Sequence, residues 1–431
     1  MFRRIITSGA VAALVLGLAP APAPAAPVAT ADSQFAWLVD VTSRLPATDS
    51  ELGQHLDATM LAAVGGADGF NKVVQPLGAF TAGPVVSRTA DTLRRVVTAA
   101  SAGGLLATLV VDAGGLLSGF TLTPYLPAPT SWAQLDSALK KLAPRVSFAA
   151  ARVTASGCRL VHGVDPGTAR PLGSAFKLYV LGALARTIGA GNLSWNTPLA
   201  LNPAWKSLPS GVLQDQPDGK VYTLAQYADY MISISDNTAA DHLLHEVGRD
   251  RVGEQFGLFG NHATGNAPVL TTRELFVLRS WHYPLVATAY AAMSPRLRGP
   301  ALTALDRVPL TSLGAWAQPR MIDELEWFGS PLDMCRAMAG LWAFHDPQVG
   351  TAMTRNDGGI GMPAAGFPTV WFKGGSEPGV LTLNYLAQAS DGSLVTASLM
   401  LSDPAHPLDE ATAAPQALAL LRGALHLAAA D

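Results

Sequence analysis

The order of strand-like and helix-like segments is the feature that most limits how this chain can fold. From residue 131 onward, a short helix pattern at Trp132–Leu142 leads into two strand patterns, a long helical stretch, three more strand patterns and a closing helix. The strand patterns are Val146–Val153, Arg159–His162, Val370–Lys373, Val380–Ala389 and Leu394–Leu401, the helical stretch is Ser174–Phe344, and the closing helix is Leu408–Ala429. We therefore predict an α+β fold in which an antiparallel sheet holds both chain ends and a helical subdomain is inserted.

Residues 32–127 predict a separate, small α+β domain. The helical patterns are Ser33–Ser43, Asp49–Val64 and Thr89–Ala99, and a hairpin pattern pairs Leu105–Asp112 with Leu116–Thr123. Three prolines follow at 124, 127 and 129, and such a cluster is typical of a linker. We place the second, larger domain at residues 128–431.

The composition excludes several classes of protein. Of the 431 residues, 49% are hydrophobic and 14% are charged, and the net charge is −3. This is ample material for a large core, and it lacks the basic surplus that nucleic-acid binding requires. His242 and His245 lie one helical turn apart, but the chain offers no matching ligand motif, so we expect neither a metal nor a cofactor.

The first residues read as an export signal. Arg3 and Arg4 precede an apolar run from Ile5 to Leu18, and small-residue cleavage sites follow before Asp32. We predict a signal peptide at residues 1–31, a secreted mature protein and no stable membrane span after processing. The alternative is an uncleaved anchor, although the run is short for a bilayer.

The two cysteines, Cys158 and Cys335, leave two possibilities open. An exported protein permits a disulfide between them. Two residues so far apart in the sequence are equally compatible with buried free thiols.

The segment Ser174-Ala-Phe-Lys177 opens a strongly apolar helix that we predict to end at Ile188. Residues three apart share a helix face, so the lysine amine lies one turn from the serine hydroxyl. Burial lowers the pKa of a lysine, and a neutral amine beside a hydroxyl can act as a general base. The simplest alternative is that Ser174 only caps the helix.

Two further short segments combine polar side chains with turns. Ser235-Asp236-Asn237 lies between two helical patterns, where each of these residue types is also a common helix cap. Lys373-Gly374-Gly375 ends a strand, and its glycines allow a ligand to approach the backbone. The alternative for this segment is a glycine hairpin with a solvated lysine.

In this order, the three segments resemble the S-x-x-K, S-D-N and K-T-G elements of serine β-lactamases and penicillin-binding proteins. The resemblance implies that Ser174 is the nucleophile, Lys177 its general base and Ser235 the proton relay to the leaving group. It also implies that Asn237 binds an amide of the substrate and that Lys373 binds its carboxylate. The N–H groups of Ser174 and of Ser376, which follows Gly375, would bind the oxyanion. Gly374 stands where the family has threonine, so one carboxylate contact is missing.

The two-domain arrangement resembles a group of exported actinobacterial serine hydrolases that includes the β-lactamase-like protein of clavulanic acid biosynthesis clusters. This resemblance implies an NTF2-like or steroid isomerase-like first domain and a weak esterase activity on cephalosporins. The chain lacks the glutamate, followed four residues later by asparagine, that activates water in class A β-lactamases. We therefore expect a serine hydrolase acting on β-lactams or esters, with slow deacylation. The alternatives are a true β-lactamase, a D-Ala-D-Ala peptidase acting on a peptidoglycan peptide, and a penicillin-recognising binding or sensor protein.

Overall fold

The computed structural model of the protein describes residues 29–431. The predicted signal peptide lies outside the described residues except for its last three. Those three are part of the first domain, because Thr30 caps the first helix through a hydrogen bond from the Ser33 N–H to its hydroxyl. Within residues 29–431, every helix is too short or too polar to span a bilayer.

The first domain packs helices against one face of a four-stranded antiparallel sheet. Its helices are α1 (Ala31–Ser43), α2 (Asp49–Leu52), α3 (Ala58–Val64) and α4 (Gly66–Val74). Its strands, in spatial order, are β1 (Phe80–Arg88), β2 (Thr92–Ala99), β3 (Gly103–Val111) and β4 (Leu117–Pro124). The core between the layers includes Phe35, Leu38 and Val41 from α1 and Leu93, Val97 and Leu109 from the sheet.

Two of the helices predicted in this domain are wrong in type or extent. Residues Thr89–Ala99 form no helix, because Thr92–Ala99 is the strand β2, paired with β1 and β3. Its β-branched valines and threonines fit a pleated surface better than a helix. The predicted helix Asp49–Val64 is interrupted after Leu52, and Asp57 caps a new helix by accepting a hydrogen bond from the Met60 N–H.

The second domain is built on a five-stranded antiparallel sheet that contains strands from both ends of the domain. The five strands are β5 (Arg145–Thr154), β6 (Gly157–Val164), β11 (Thr369–Glu377), β12 (Val380–Gln388) and β13 (Leu394–Ser402). The sheet order is β11-β12-β13-β5-β6, which confirms the α+β class with an inserted helical part. The short strands are β7 (Arg170–Pro171), β8 (Pro198–Ala200), β9 (Val221–Thr223) and β10 (Phe328–Gly329).

Helices cover both faces of this sheet, so two cores form. The helices of the domain are α5 (Trp132–Leu139), α6 (Lys177–Gly189), α7 (Leu224–Ser233), α8 (Asn237–Val247), α9 (Arg249–Leu258), α10 (Thr272–Ser280), α11 (Leu285–Ala291), α12 (Pro295–Leu305), α13 (Pro331–Trp342), α14 (Pro347–Thr354) and α15 (Glu410–Ala430). The terminal helices α5 and α15 pack on one face, and α13 packs on the other together with the inserted helices. Successive residues of a strand therefore enter different cores, as Met400 and Leu401 do.

A buried arginine of α15 joins the linker to the second domain. The Arg422 guanidinium donates hydrogen bonds to the carbonyl groups of Leu126 and Ile360, and it lies 3.8 Å from the centre of the Tyr125 ring. The Tyr125 hydroxyl donates in turn to the Gly361 carbonyl at 3.2 Å. These contacts fix the chain just before the second domain begins.

The two cysteines are bonded to each other, which decides between the two possibilities that the sequence left open. Cys158 lies on the edge strand β6 and Cys335 lies on α13, and 177 residues separate them in the sequence. The bond therefore closes a large loop and ties the helical core to the edge of the sheet.

We predict that reducing this disulfide lowers the free energy of unfolding by about 2–5 kcal/mol, because a long loop gains entropy in the unfolded chain when the cross-link is broken. Urea unfolding with and without a reductant measures the change. The Cys158→Ser/Cys335→Ser variant is the control, since its urea midpoint should equal that of the reduced wild type and should not respond to reductant. Equal midpoints for oxidised and reduced wild type would contradict the prediction.

Candidate active site

Ser174 lies on a tight turn that leads directly into α6. Residues Gly173–Phe176 form one 3₁₀ turn, so the predicted helix Ser174–Ile188 begins more tightly wound than an ordinary α-helix. The turn still brings Ser174 Oγ within 3.2 Å of Lys177 Nζ. Ser174 is partly exposed, whereas Lys177 is fully buried.

Lys177 is surrounded by oxygen atoms. Besides Ser174, its Nζ contacts the Ser235 carbonyl at 2.5 Å, Asn237 Oδ1 at 2.6 Å and Ser235 Oγ at 3.2 Å. Burial lowers the pKa of Lys177 to about 7, although the negative charges of Asp236 and Asp241 oppose this shift. A neutral amine has two hydrogens, and the carbonyl and amide oxygens can take both. Its lone pair is then left for a hydroxyl proton.

Ser235 connects the two lysines of the site. Its φ of +58° turns the backbone between α7 and α8 and aims the carbonyl oxygen at Lys177. Its hydroxyl lies 2.9 Å from Lys373 Nζ and 3.2 Å from Lys177 Nζ. A serine in this left-handed region is under local strain, so the surrounding contacts must hold it there.

Asp236 supplies much of that support. Its fully buried carboxylate accepts hydrogen bonds from the N–H groups of Val212 and Leu213 at 2.7 and 2.9 Å. It also accepts from the Ala239 N–H at 2.7 Å, which caps α8. The aspartate thus ties the Ser235 turn to a neighbouring loop and to the following helix.

Asn237 is buried with both polar atoms engaged inside the protein. Its Oδ1 accepts from Lys177, and its Nδ2 donates to the Leu208 carbonyl at 3.0 Å. The Nδ2 bond fixes which end of the amide faces the lysine. The structure therefore places Asn237 as a support for Lys177, in addition to its place on the cavity wall.

Lys373 reaches the site from the edge strand β11. Only 2% of it is exposed, and Nζ donates to Ser235 Oγ and to the Gly374 carbonyl at 2.7 Å. Burial lowers its pKa well below the usual range, and the nearby Lys177 lowers it further. Lys373 is thus a buried member of the hydrogen-bond network that includes Ser235.

Two glycines bring β11 against the Ser174 turn. A Cβ atom on Gly375 would lie 2.6 Å from the Ser174 nitrogen, which no side chain could tolerate. Gly173 has a φ of +49°, and a Cβ on it would lie 3.3 Å from the Ser376 nitrogen. The backbone nitrogens of Ser174 and Ser376 are therefore neighbours across this contact, as an oxyanion hole requires.

The Ser376 side chain does not reach the position of the missing threonine hydroxyl. It is exposed and lies close to the Glu410 carboxyl, whose pKa is raised by burial and lowered by this serine. At Gly374, the space of a side chain is taken by Phe372, because a Cβ there would lie 2.8 Å from the ring.

A cavity of about 820 Å³ opens beside these residues. Its wall includes Ser174, Ser235, Asn237 and Lys373 from the predicted site. The rest comes largely from apolar residues of the inserted helices and of the sheet edge. The cavity is large enough for a small organic substrate.

Glu326 is a residue of this cavity that the sequence did not single out. Strand β10 pairs with β7, and the Leu172 N–H donates to the Trp327 carbonyl, which brings Glu326 beside the Ser174 turn. Its Oε2 accepts from the Gly173 N–H at 2.7 Å, while its Oε1 is buried without a hydrogen-bond partner. No local motif surrounds Glu326, so only the pairing of β7 with β10 could have revealed it.

A model described as the β-lactamase enzyme family matches residues 134–347, which include Ser174, Lys177 and the Ser235 turn. The second domain is therefore similar to the β-lactamase enzyme family over most of its length. No curated protein sequence is similar enough to this chain to count as a relative.

Several solved structures resemble this chain at low sequence identity. A β-lactamase from Sphaerobacter thermophilus is 19% identical, with 70% of this chain and 98% of its own chain covered and a TM-score of 0.49. A β-lactamase from Burkholderia phymatum is 20% identical, with coverages of 68% and 97% and a TM-score of 0.47. The protein named PBP-A is 16% identical, with coverages of 68% and 97% and a TM-score of 0.45.

Burial makes Glu326 an unusual acid within the second domain. Burial raises its pKa to about 8 and the neighbouring Glu377 raises it further, whereas Arg279 and the N–H groups of Gly173 and Trp327 oppose the shift. At neutral pH the side chain therefore carries a proton. In the unfolded chain it loses this proton near pH 4.5, so unfolding releases a proton between about pH 5 and 8.

We predict that the wild type becomes less stable as the pH rises from 5 to 8, because Glu326 then has to lose its proton inside the protein. The Glu326→Gln variant should lack this loss of stability. The Glu326 contribution is complete below the unfolded pKa and is lost as the pH rises through the folded pKa. The difference in free energy of unfolding between variant and wild type should shift by more than about 1.4 kcal/mol, the equivalent of one pKa unit. Urea unfolding at pH 5, 6.5 and 8 measures it. The exposed neighbour Glu324→Gln is the matched control, and identical pH profiles for both variants would contradict the prediction.

Proposed function

We propose that the protein is an active-site serine hydrolase that forms an acyl-enzyme with ester or β-lactam substrates. One observation carries this proposal: the continuous chain of contacts from Ser174 Oγ through Lys177 Nζ and Ser235 Oγ to Lys373 Nζ. A nucleophile, a base whose pKa lies near 7 and a hydroxyl relay are the parts that acyl transfer needs. The similarity of residues 134–347 to the β-lactamase enzyme family supports the same reaction class.

The reaction would run through these contacts. Ser174 Oγ bonds to the substrate carbonyl carbon, and its proton moves to neutral Lys177. The N–H groups of Ser174 and Ser376 hold the oxygen that becomes negative. The Ser235 hydroxyl gives its proton to the leaving group and is reprotonated from the lysines. Water then releases the acyl group from Ser174.

A second candidate is a penicillin-recognising binding or sensor protein that acylates with little turnover. The state of Glu326 favours it. This acid lies on the cavity wall but is protonated at neutral pH, and its Oε2 is bound to the Gly173 N–H. A protonated carboxyl cannot take a proton from water, so deacylation near pH 7 would be slow.

We also propose that the protein is exported. The basic residues and apolar run at the N-terminus support this proposal, and so does the Cys158–Cys335 disulfide, since such bonds persist in oxidising compartments.

We predict that Ser174→Ala neither hydrolyses p-nitrophenyl butyrate nor gains an acyl group, because no other residue occupies the nucleophile position. Nitrophenol release and intact mass, followed together in the mature chain, check this. Ser233→Ala is the control, since Ser233 lines the same cavity but bonds to the Asp229 carbonyl. Turnover retained in Ser174→Ala would refute the proposal. A stable wild-type adduct without turnover would favour the binding or sensor protein.

We predict that the acylation rate rises with pH and levels off above about pH 7. Only neutral Lys177 can accept the serine proton, and the neutral fraction rises about tenfold per pH unit below the pKa. Stopped-flow measurement of the nitrophenol burst between pH 5 and 9 tests this.

The Lys177→Arg variant keeps a permanent charge, so acylation should fall by about 10²–10⁴-fold above pH 7. The difference should shrink at lower pH, where wild-type Lys177 is itself mostly charged. Lys206→Arg is the matched control, because Lys206 donates to the Gln216 carbonyl away from the nucleophile. A flat wild-type profile would contradict the role of Lys177.

A further inference from the structure

The wall of the cavity is largely apolar. Phe276 of α10 contributes one side, together with Leu313 and Trp316 from the chain after α12. Leu381 and Leu383 contribute the opposite side from β12, and Gly374 pairs directly with Leu383. A substrate here would exchange water mainly for hydrocarbon, which favours apolar groups.

The charged residues of this wall offer no free cation to a substrate carboxylate. Among the cavity-lining residues that the structure describes, Lys373 is the only basic one, and Glu326 and Glu377 are acidic. The Lys373 amine is buried and bonded to Ser235 Oγ and the Gly374 carbonyl. Its lowered pKa further reduces the positive charge that it presents.

Behind this wall, a further cation is already neutralised. Arg279 is fully buried, and its guanidinium donates to the Glu377 carboxylate and to the Leu325 carbonyl. The remaining Glu377 oxygen, Oε1, is buried without a partner. A second carboxylate brought into the cavity would therefore find no free cation, because Arg279 is already paired with Glu377.

Phe372 occupies the space in which a threonine hydroxyl would bind a carboxylate. A Cβ on Gly374 would lie 2.8 Å from the ring, and a Cβ on Gly358 would lie 2.5 Å from it. The ring also stacks on Tyr385, with 4.8 Å between the ring centres. The phenyl ring is therefore packed against the backbone of Gly358 and Gly374 and against the Tyr385 ring. It could make room for a side chain at position 374 only by leaving these contacts.

We propose that this site takes substrates whose acyl part is uncharged and apolar, and that Phe372 over Gly374 excludes an acyl carboxylate. The inference rests on the proposed serine hydrolase function and names its substrate class. In the reaction, the ester C–O bond breaks and the alcohol leaves with a proton. The acyl carbon bonds to Ser174 Oγ until water hydrolyses that bond.

Two esters of equal chain length test this in the mature wild-type protein. p-Nitrophenyl valerate is neutral, and p-nitrophenyl hydrogen glutarate ends in a carboxylate. Each kcat/KM at pH 7.5 is divided by the rate of hydroxide hydrolysis of the same ester. We expect the corrected value for valerate to be at least about tenfold higher, and a smaller ratio overturns the inference. This comparison needs no variant.

The Phe372→Ala/Gly374→Thr variant tests the part assigned to the ring. It opens the space and restores the hydroxyl, so the preference for valerate should shrink by at least about fivefold. Phe276→Ala is the matched control on the other wall, and it should slow valerate without favouring glutarate. Thermal unfolding checks that each variant is folded. An unchanged preference in a folded double variant overturns the role of Phe372.

The result also separates this inference from the proposed function. Turnover of both esters at similar corrected rates, lost in Ser174→Ala, overturns only the apolar preference. If neither ester is hydrolysed and neither leaves an acyl group on Ser174, the serine hydrolase proposal fails, and the inference fails with it.

Discussion

The burial of the Lys177 amine among four oxygen atoms is the interaction on which the rest of the site depends. Keeping a buried lysine charged is costly because the charge has lost its water. The burial that places Lys177 among these oxygen atoms therefore also lowers its pKa to about 7. The contacts come from two separate elements, the turn at Ser174 and the turn at Ser235. The strained backbone of Ser235 persists because Asp236 binds three N–H groups around it. The lysine thus organises both the chemistry and the local fold.

The edge strand β11 completes the site through close backbone contact. Gly173 and Gly375 bring the Ser174 and Ser376 nitrogens together, and Lys373 extends the hydrogen-bond network from the same strand. The opposite face of the strand carries Phe372, which packs on Tyr385 toward α15. One strand therefore supplies the backbone donors and a lysine, and the ring of Phe372 on its other face also lines the cavity.

Much of the second domain could be predicted because its signals are local. The apolar strands, the glycine and proline boundaries and the three motifs each depend on a few neighbouring residues. The helix predicted at Thr89–Ala99 was wrong, because pairing with two strands outweighed the apparent helical spacing. Glu326 and the packing of Phe372 on Gly374 were missed because they depend on contacts between distant segments. The signal peptide, the catalytic roles and the NTF2-like character of the first domain stay predictions.

The position of Arg422 has a consequence for how the two domains can be separated. The sequence suggests a cut at residue 128, but the guanidinium in α15 binds Tyr125 and Leu126 on the other side of that cut. A second domain produced alone from residue 128 would keep a cation in its interior while losing two of the groups that bind and cover it. The linker therefore belongs physically to the second domain. If the small domain were replaced by another domain, Tyr125 and Leu126 would have to stay with the second domain.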